Sequence, residues 1–230
     1  MSSRKSELSN NLCCVEERIV NSLKVARRER SSLTLIVVTK TFPVEDSLLL
    51  YDLGVRDFGE NRDQEGRVKS KLLPADVSWH FQGQIQSNKI NSIAKWADVV
   101  HSLDSVDQAA KFSEKEWNLT FFVQVNLEPG RTDRGGIPEA ELEPFLRYAR
   151  NLGLSVIGLM TVPPLNFQKE RTLPCFEQLL RMRDHLQKMG FSELVELSMG
   201  MSGDFEAGIL AGATHIRIGS SILGTRPTLT

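Results

Sequence analysis

Lys40 is the first residue whose position suggests chemistry. It ends the run Leu33-Thr-Leu-Ile-Val-Val-Thr39, apolar and rich in β-branched residues, and precedes Thr41-Phe42-Pro43. Such a run fits a strand buried on both faces, and Pro43 then opens a helix. Lys40 would stand at the carboxyl end of a buried first strand, where parallel α/β folds place their reactive groups. Taken alone, the position also fits a lysine that marks where a strand meets water. Two later stretches carry small residues between a strand and a helix. One is Glu196-Leu-Ser198-Met-Gly200-Met-Ser202-Gly203-Asp204; the other is Arg217-Ile-Gly219-Ser220-Ser221. Unpaired backbone N–H groups at such a junction favour an anion, and barrels bind phosphate after their seventh and eighth strands. Ordinary N-capping by Ser202 and Ser220 would account for the same residues.

Other chemistries fit less well. His80, His101, His185 and His215 show no ligand spacing, and the cysteines add none, so no metal site is expected. Gly130 to Gly136 (GRTDRGG) lacks the Gly-Lys-Ser/Thr ending of a phosphate loop, and no GxSxG elbow is present. What remains is an amine after strand one, an anion site after strands seven and eight, and Arg217 on strand eight. An amine, a phosphate cradle and a charged partner for a ring nitrogen are what pyridoxal phosphate requires, with the lysine attached as a Schiff base.

The elements that would position these residues alternate along the chain. Leu8, Leu12, Val15, Ile19, Leu23 and Ala26 form one stripe of a first helix. Strands are expected at 33–38, 55–58, 77–81, 98–101, 119–125, 154–160, 194–197 and 215–218. Helices are expected at 44–53, 62–71, 85–94, 105–117, 138–151, 170–189 and 204–210, with a short turn at 220–223. Eight strands, each followed by a helix, predict a single (β/α)8 barrel over residues 1–230, with an extra N-terminal helix. An open doubly wound sheet is the alternative, weakened because no GxGxxG follows the first strand.

Composition sets the outer bounds. The 230 residues are 40% hydrophobic and 25% charged, with a net charge of −1, so a general nucleic-acid binder is not expected. Cys13, Cys14 and Cys175 make an odd count with no CxxC pair, which argues against a disulfide framework and for a reducing compartment. The N-terminus lacks the apolar core of a signal peptide, and no run approaches the ~20 apolar residues of a membrane span. A cytoplasmic protein without membrane contact is expected.

Several motifs carry a specific resemblance: VTKTFPVE from Val38, RDFGENRDQE from Arg56, WHFQGQIQSNK from Trp79, HSLDS from His101, GLMTVPP from Gly158 and ELSMGMSGDFEAGILAGATHIRIGSSILG from Glu196. Over nearly its whole length the chain resembles the pyridoxal phosphate homeostasis protein family, whose barrel is similar to the N-terminal domain of alanine racemase, a fold type III arrangement. The resemblance implies Lys40 as the Schiff-base lysine and Asn61 near the cofactor ring. It implies Ser198, Ser202, Gly219 and Ser220 as the phosphate cradle and Arg217 facing the pyridine nitrogen. Met160 would line the pocket wall or serve as plain core. His80 falls in a family motif without an assignable role. The departure lies between Leu127 and Gly136, where Arg134 stands in place of the family's lysine before the glycines.

Two functions follow from the resemblance. One is a non-catalytic protein that holds pyridoxal phosphate and hands it on, with apo-forms of pyridoxal phosphate enzymes as recipients. The other is a racemase-like enzyme. Racemases add a β domain that supplies a tyrosine base, whereas this chain ends at Thr230 and its two tyrosines, Tyr51 and Tyr148, fall on predicted outer helices. The holder is therefore favoured, and a monomer is expected.

Overall fold

The computed structural model describes residues 3–128, 135–163 and 169–225. Its strands are β1 (Thr34–Val38), β2 (Asp57–Glu60), β3 (Ser78–Phe81), β4 (Val99–Leu103), β5 (Thr120–Asn126), β6 (Ile137–Pro138), β7 (Val156–Met160), β8 (Glu196–Met201) and β9 (His215–Ile218). The order β4-β3-β2-β1-β9-β8-β7-β5 is closed by a further β4–β5 pairing, and every pair is parallel. This is a closed eight-stranded (β/α)8 barrel. The two-residue β6 pairs only with β5, outside the closed ring.

Helices α1 (Ser3–Ala26), α2 (Val44–Asp52), α3 (Asp63–Lys69), α4 (Ile90–Ile93), α5 (Val106–Ser113), α6 (Glu139–Asn151), α7 (Lys169–Lys188), α8 (Phe205–Leu210) and α9 (Ser220–Leu223) surround it. Strand alternation divides the apolar residues between two layers. Leu35 and Val37 of β1 join the core under the helices, with Phe58, Trp79, Phe121 and Leu159. Val38, of opposite parity to Val37, lines a cavity at the strand ends. The extra helix α1 buries Leu8, Val15, Ile19 and Leu23 and packs on α2, α8 and α9. Near its start, Arg4 donates to both carboxylate oxygens of Asp46 and to the Leu223 carbonyl, and Asn11 donates to Ile222 O at 2.9 Å. The stripe read from the sequence therefore braces the last short helix.

Differences from the sequence-based elements are local. The second strand starts two residues later than expected, because Val55 still packs in the outer core. The predicted helix at 85–94 is a 3₁₀ turn (Ser87–Lys89) followed by a single helical turn. The seventh barrel strand, β8, begins at Glu196 and extends to Met201, so Ser198 lies inside it rather than after it. A bulge between Ser198 and Met201 accompanies this, with Gly200 at φ 97°. A Cβ there would come within 2.9 Å of the Phe205 Cα, so a side chain has no room. Tyr51 donates to Asp76 at an exposed position, and Tyr148 is 38% exposed on α6; neither lines the cavity at the strand ends.

The barrel interior is unusually polar. His80, His101 and His215 converge there, with ring centroids 5.1–6.3 Å apart, and His101 stacks on Phe122 at 4.4 Å. Burial pulls His215 down to about 3 and His101 well below its ordinary value. Unfolding would return each ring to an ordinary value near 6.5, so the unfolded chain binds more protons as pH falls from 6.5 toward 3. The stability tied to these neutral rings is fully present above about pH 6.5 and is lost as pH falls through that window. The slope is on the order of 1.4 kcal/mol per pH unit for each ring. Urea midpoints should therefore drop between neutral pH and mild acid, and His215→Phe should flatten the slope by about one proton. A midpoint that stays level across the window would contradict this.

Candidate functional site

Lys40 stands just past the end of β1 in a turn that departs from ordinary backbone. Thr39 donates its N–H to Gly59 O at 3.0 Å, and Phe42 N–H closes back on Thr39 O at 3.1 Å. Between them Thr41 has φ 69°, a left-handed value rare for a β-branched residue. Such a conformation costs on the order of 1–3 kcal/mol and persists only where its surroundings enforce it. Here they do. Thr41 N–H donates to Glu65 Oε2 at 2.6 Å. Lys69 Nζ donates to Thr39 O at 2.7 Å and to Glu60 Oε1 at 2.6 Å, and the Thr39 hydroxyl donates to the same Glu60 oxygen. The side chains of Lys69 and Glu60 are 5% and 0% exposed. Burial pushes Glu60 above the ordinary carboxylate value, and the Lys69 charge opposes that. The pair clamps the turn from below.

Across the barrel mouth, Arg217 of β9 is buried. Its Nη1 donates to Ser198 Oγ at 2.6 Å and its Nη2 to Thr161 O at 2.9 Å. Burial pulls the guanidinium down to about 10, with Asp204 acting against that, so it is a cation at neutral pH. Beside it, Ser202 Oγ accepts from Gly219 N–H at 3.2 Å and from Ser221 N–H at 3.4 Å. Two backbone donors thus converge on one oxygen, as they would on an oxyanion. A Cβ on Gly219 would sit 3.1 Å from Val38 O, so glycine lets this backbone approach β1 closely.

These walls enclose a cavity of about 250 Å³. Lys40, Asn61, Met160, Ser202, Arg217, Gly219 and Ser220 all line it. Ser198 does not: it is fully buried beneath the floor, bonded to Arg217 and His101, because its strand is longer than the sequence pattern suggests. Arg134 lies outside the described residues, as does most of the loop around it. Sequence reasoning missed Gln82, Phe42 and Gly203, which also line the cavity. Gln82 could have been found from its place directly after the third strand, opposite the Gly59-Glu60-Asn61 turn. Asn61 Oδ1 and Gln82 Nε2 are buried without a hydrogen-bond partner, an acceptor and a donor that a bound polar group could satisfy. Among the described lining residues, Lys40 and Arg217 are the two that carry ionisable side chains. The cavity can therefore take an anion on one wall, a hydrogen-bond acceptor at Arg217, and a group that reacts with an amine.

No protein-family model matches the chain. The pyridoxal phosphate homeostasis protein of Corynebacterium glutamicum is 38% identical over 228 residues, covering 93% of this chain and 99% of that one. The structure of PipY from Synechococcus elongatus, solved with PLP bound, superposes with a TM-score of 0.82 at 30% identity, covering 94% of this chain and all of that one. Alanine racemase from Corynebacterium glutamicum shares the barrel, with a TM-score of 0.69 at 15% identity over 97% of this chain and 61% of that one.

The Lys69–Glu60 clamp yields a direct test of how the Lys40 turn is held. Lys69→Met leaves a buried carboxylate unpaired and should cost about 3–5 kcal/mol in denaturant unfolding. Adding Glu60→Gln should recover much of that loss. A Lys69→Met protein as stable as the parent would show that the pair does not hold the turn.

Proposed function

The chain belongs to the pyridoxal phosphate homeostasis protein family, and from that premise we propose that it binds pyridoxal phosphate covalently at Lys40, holds it, and releases it without turning over amino acids. The observation that carries this is the meeting, in one cavity, of Lys40, the buried Arg217 cation and the small residues Ser202, Gly219 and Ser220. The unpartnered Asn61 Oδ1 and Gln82 Nε2 support the fit, since a bound ring with polar substituents gives both atoms partners. When bound, pyridoxal phosphate supplies an aldehyde that condenses with an amine and a ring that withdraws electrons.

The chain's own residues divide the work. Gly219, Ser220 and Ser202 would hold the phosphate. Arg217 would donate to the ring nitrogen and, having donors only, would leave that nitrogen an acceptor. Met160 packs on the wall. Ser198 acts through Arg217 and not on the phosphate. Lys40 Nζ can carry a proton on one side of the cavity. The opposite described wall offers no acid or base to complement it, and two-sided proton transfer needs one. The protein acts as a cytoplasmic monomer, and apo-forms of pyridoxal phosphate enzymes are its recipients. Three free thiols suit a reducing compartment, and no helix among the described residues is long and apolar enough to cross a membrane.

Titration with pyridoxal phosphate, followed by borohydride and peptide mapping, tests the binding. One adduct per chain, on Lys40, is expected, and Lys40→Ala should lose it while keeping its fold. Pyridoxal, which lacks the phosphate, should bind about two orders of magnitude more weakly, since two charge-assisted hydrogen bonds are lost. A stoichiometric adduct elsewhere, or equal affinity for both aldehydes, would overturn the assignment. For the holder as against the racemase-like enzyme, loaded protein incubated with L-alanine in deuterated water should show no multiple-turnover α-deuteration. Sustained deuteration that disappears in Lys40→Ala would make it an enzyme.

A further inference from the structure

Beneath the cavity, a line of hydrogen bonds crosses the barrel interior. Arg217 Nη1 donates to Ser198 Oγ at 2.6 Å, Ser198 Oγ lies 2.8 Å from His101 Nδ1, His101 Nε2 lies 2.9 Å from His80 Nδ1, and His80 Nε2 lies 3.1 Å from Asp57 Oδ1. Asp57 begins β2, at the amino ends of the strands, and opens on a separate cleft that it shares with Arg30 and Thr34. The line thus joins one face of the barrel to the other.

Donor counting gives the line a direction. A guanidinium only donates, so Ser198 Oγ accepts from Arg217. The hydroxyl keeps a second lone pair, so the serine end alone leaves its bond to His101 open. The Asp57 carboxylate only accepts, which makes His80 Nε2 the donor; for neutral rings this leaves His101 Nδ1 unprotonated, with the Ser198 hydroxyl donating to it. The His101 proton sits on Nε2 and goes to His80 Nδ1. The His80 proton likewise sits on Nε2 and goes to the Asp57 carboxylate. Every bond is satisfied with both rings neutral, and each donor points away from the cavity. The opposite direction would turn a His80 lone pair on the Asp57 carboxylate at 3.1 Å, with only the longer 3.4 Å contact to the Ser78 hydroxyl to serve it, or make His80 an imidazolium. That charge would sit at a position 2% exposed, beside His101, His215 and the Arg217 cation. Burial and neighbouring positive charge already hold His101 neutral. His215 stays out of the line; its Nδ1 faces Thr214 Oγ1 at 3.0 Å and Glu196 at 3.6 Å.

We propose that Asp57, His80 and His101 are positioning residues for the cavity: an oriented hydrogen-bond relay that fixes Ser198 as an acceptor and thereby holds Arg217 toward the cofactor ring. The proposal rests on the cavity being the pyridoxal phosphate site. None of the three residues lines that cavity, so any influence on it passes through Ser198 and Arg217. The relay ties a buried cation to a partly exposed carboxylate across the barrel, which orients a guanidinium whose partners Ser198 Oγ and Thr161 O are neutral.

The decisive measurement is ¹⁵N NMR of histidine-labelled full-length protein, first without ligand. The sequence holds four histidines, so single variants assign them. His101 and His80 should both appear as neutral rings protonated on Nε2. Protonation of His101 on Nδ1, or a charged His80 at neutral pH, would overturn the relay. Binding follows as a second readout. His101→Phe keeps a ring against Phe122 but breaks the line, and should weaken pyridoxal phosphate about ten-fold. Ser198→Ala should do the same, and the double variant should be no weaker than the weaker single, because both act on one element. Unchanged affinity in folded His101→Phe, or losses that simply add, would also overturn it. If His101→Phe does not fold, the ring tautomers of the unaltered protein still decide. Expected tautomers in a protein that takes up no pyridoxal phosphate would sustain the relay and overturn the cofactor assignment instead.

Discussion

A guanidinium enclosed in a barrel is the constraint on which the rest of the site depends. Arg217 is 4% exposed, and it donates to a serine hydroxyl and a carbonyl. An ion taken out of water costs several kcal/mol unless other groups replace its hydration. The fold supplies those groups from neighbouring strands: Ser198 from β8 and Thr161 from the end of β7. Asp204, whose own carboxyl burial pushes up, contributes charge from a distance. Because Arg217 also lines the cavity, a ligand with an acceptor there would add to those partners.

The opposite wall holds strain. Thr41 is held at a left-handed φ by a backbone bond to Glu65 and by the Lys69–Glu60 pair under Thr39. A relaxed turn would need none of these buried charges. Their joint effect is to present Lys40 half-buried at the edge of the cavity rather than extended into water. Both walls therefore rely on buried charge that is expensive in isolation and acceptable only within a closed, densely packed frame. The helix α1 adds to that frame: Arg4 and Asn11 tie it to α9, whose first residue, Ser220, lines the cavity.

The strand ends were legible because they are local. An apolar β-branched run must be buried, so its end must surface, and Lys40 follows such an end. The Ser198 role was not legible. Whether β8 stops at Leu197 or continues to Met201 depends on its bulge against β9, which no periodicity within the segment reveals. The 85–94 segment carries helical spacing yet makes a single helical turn after a 3₁₀ turn, since tertiary packing outweighs a weak local preference.

The sequence by itself determined that eight strands alternate with helices, that a lysine follows the first, and that small residues follow the last two. Those facts rest on burial pattern and chain chemistry within a few residues, and they suffice for the barrel and for most of its mouth. Only the tertiary structure decided that His80 and His101, which show no ligand spacing, line up with Ser198 and Arg217. His101 and Ser198 are 97 positions apart in sequence. Barrel closure brings their strands across a common interior, and there the count of donors and acceptors, rather than anything local, fixes which atom holds each proton.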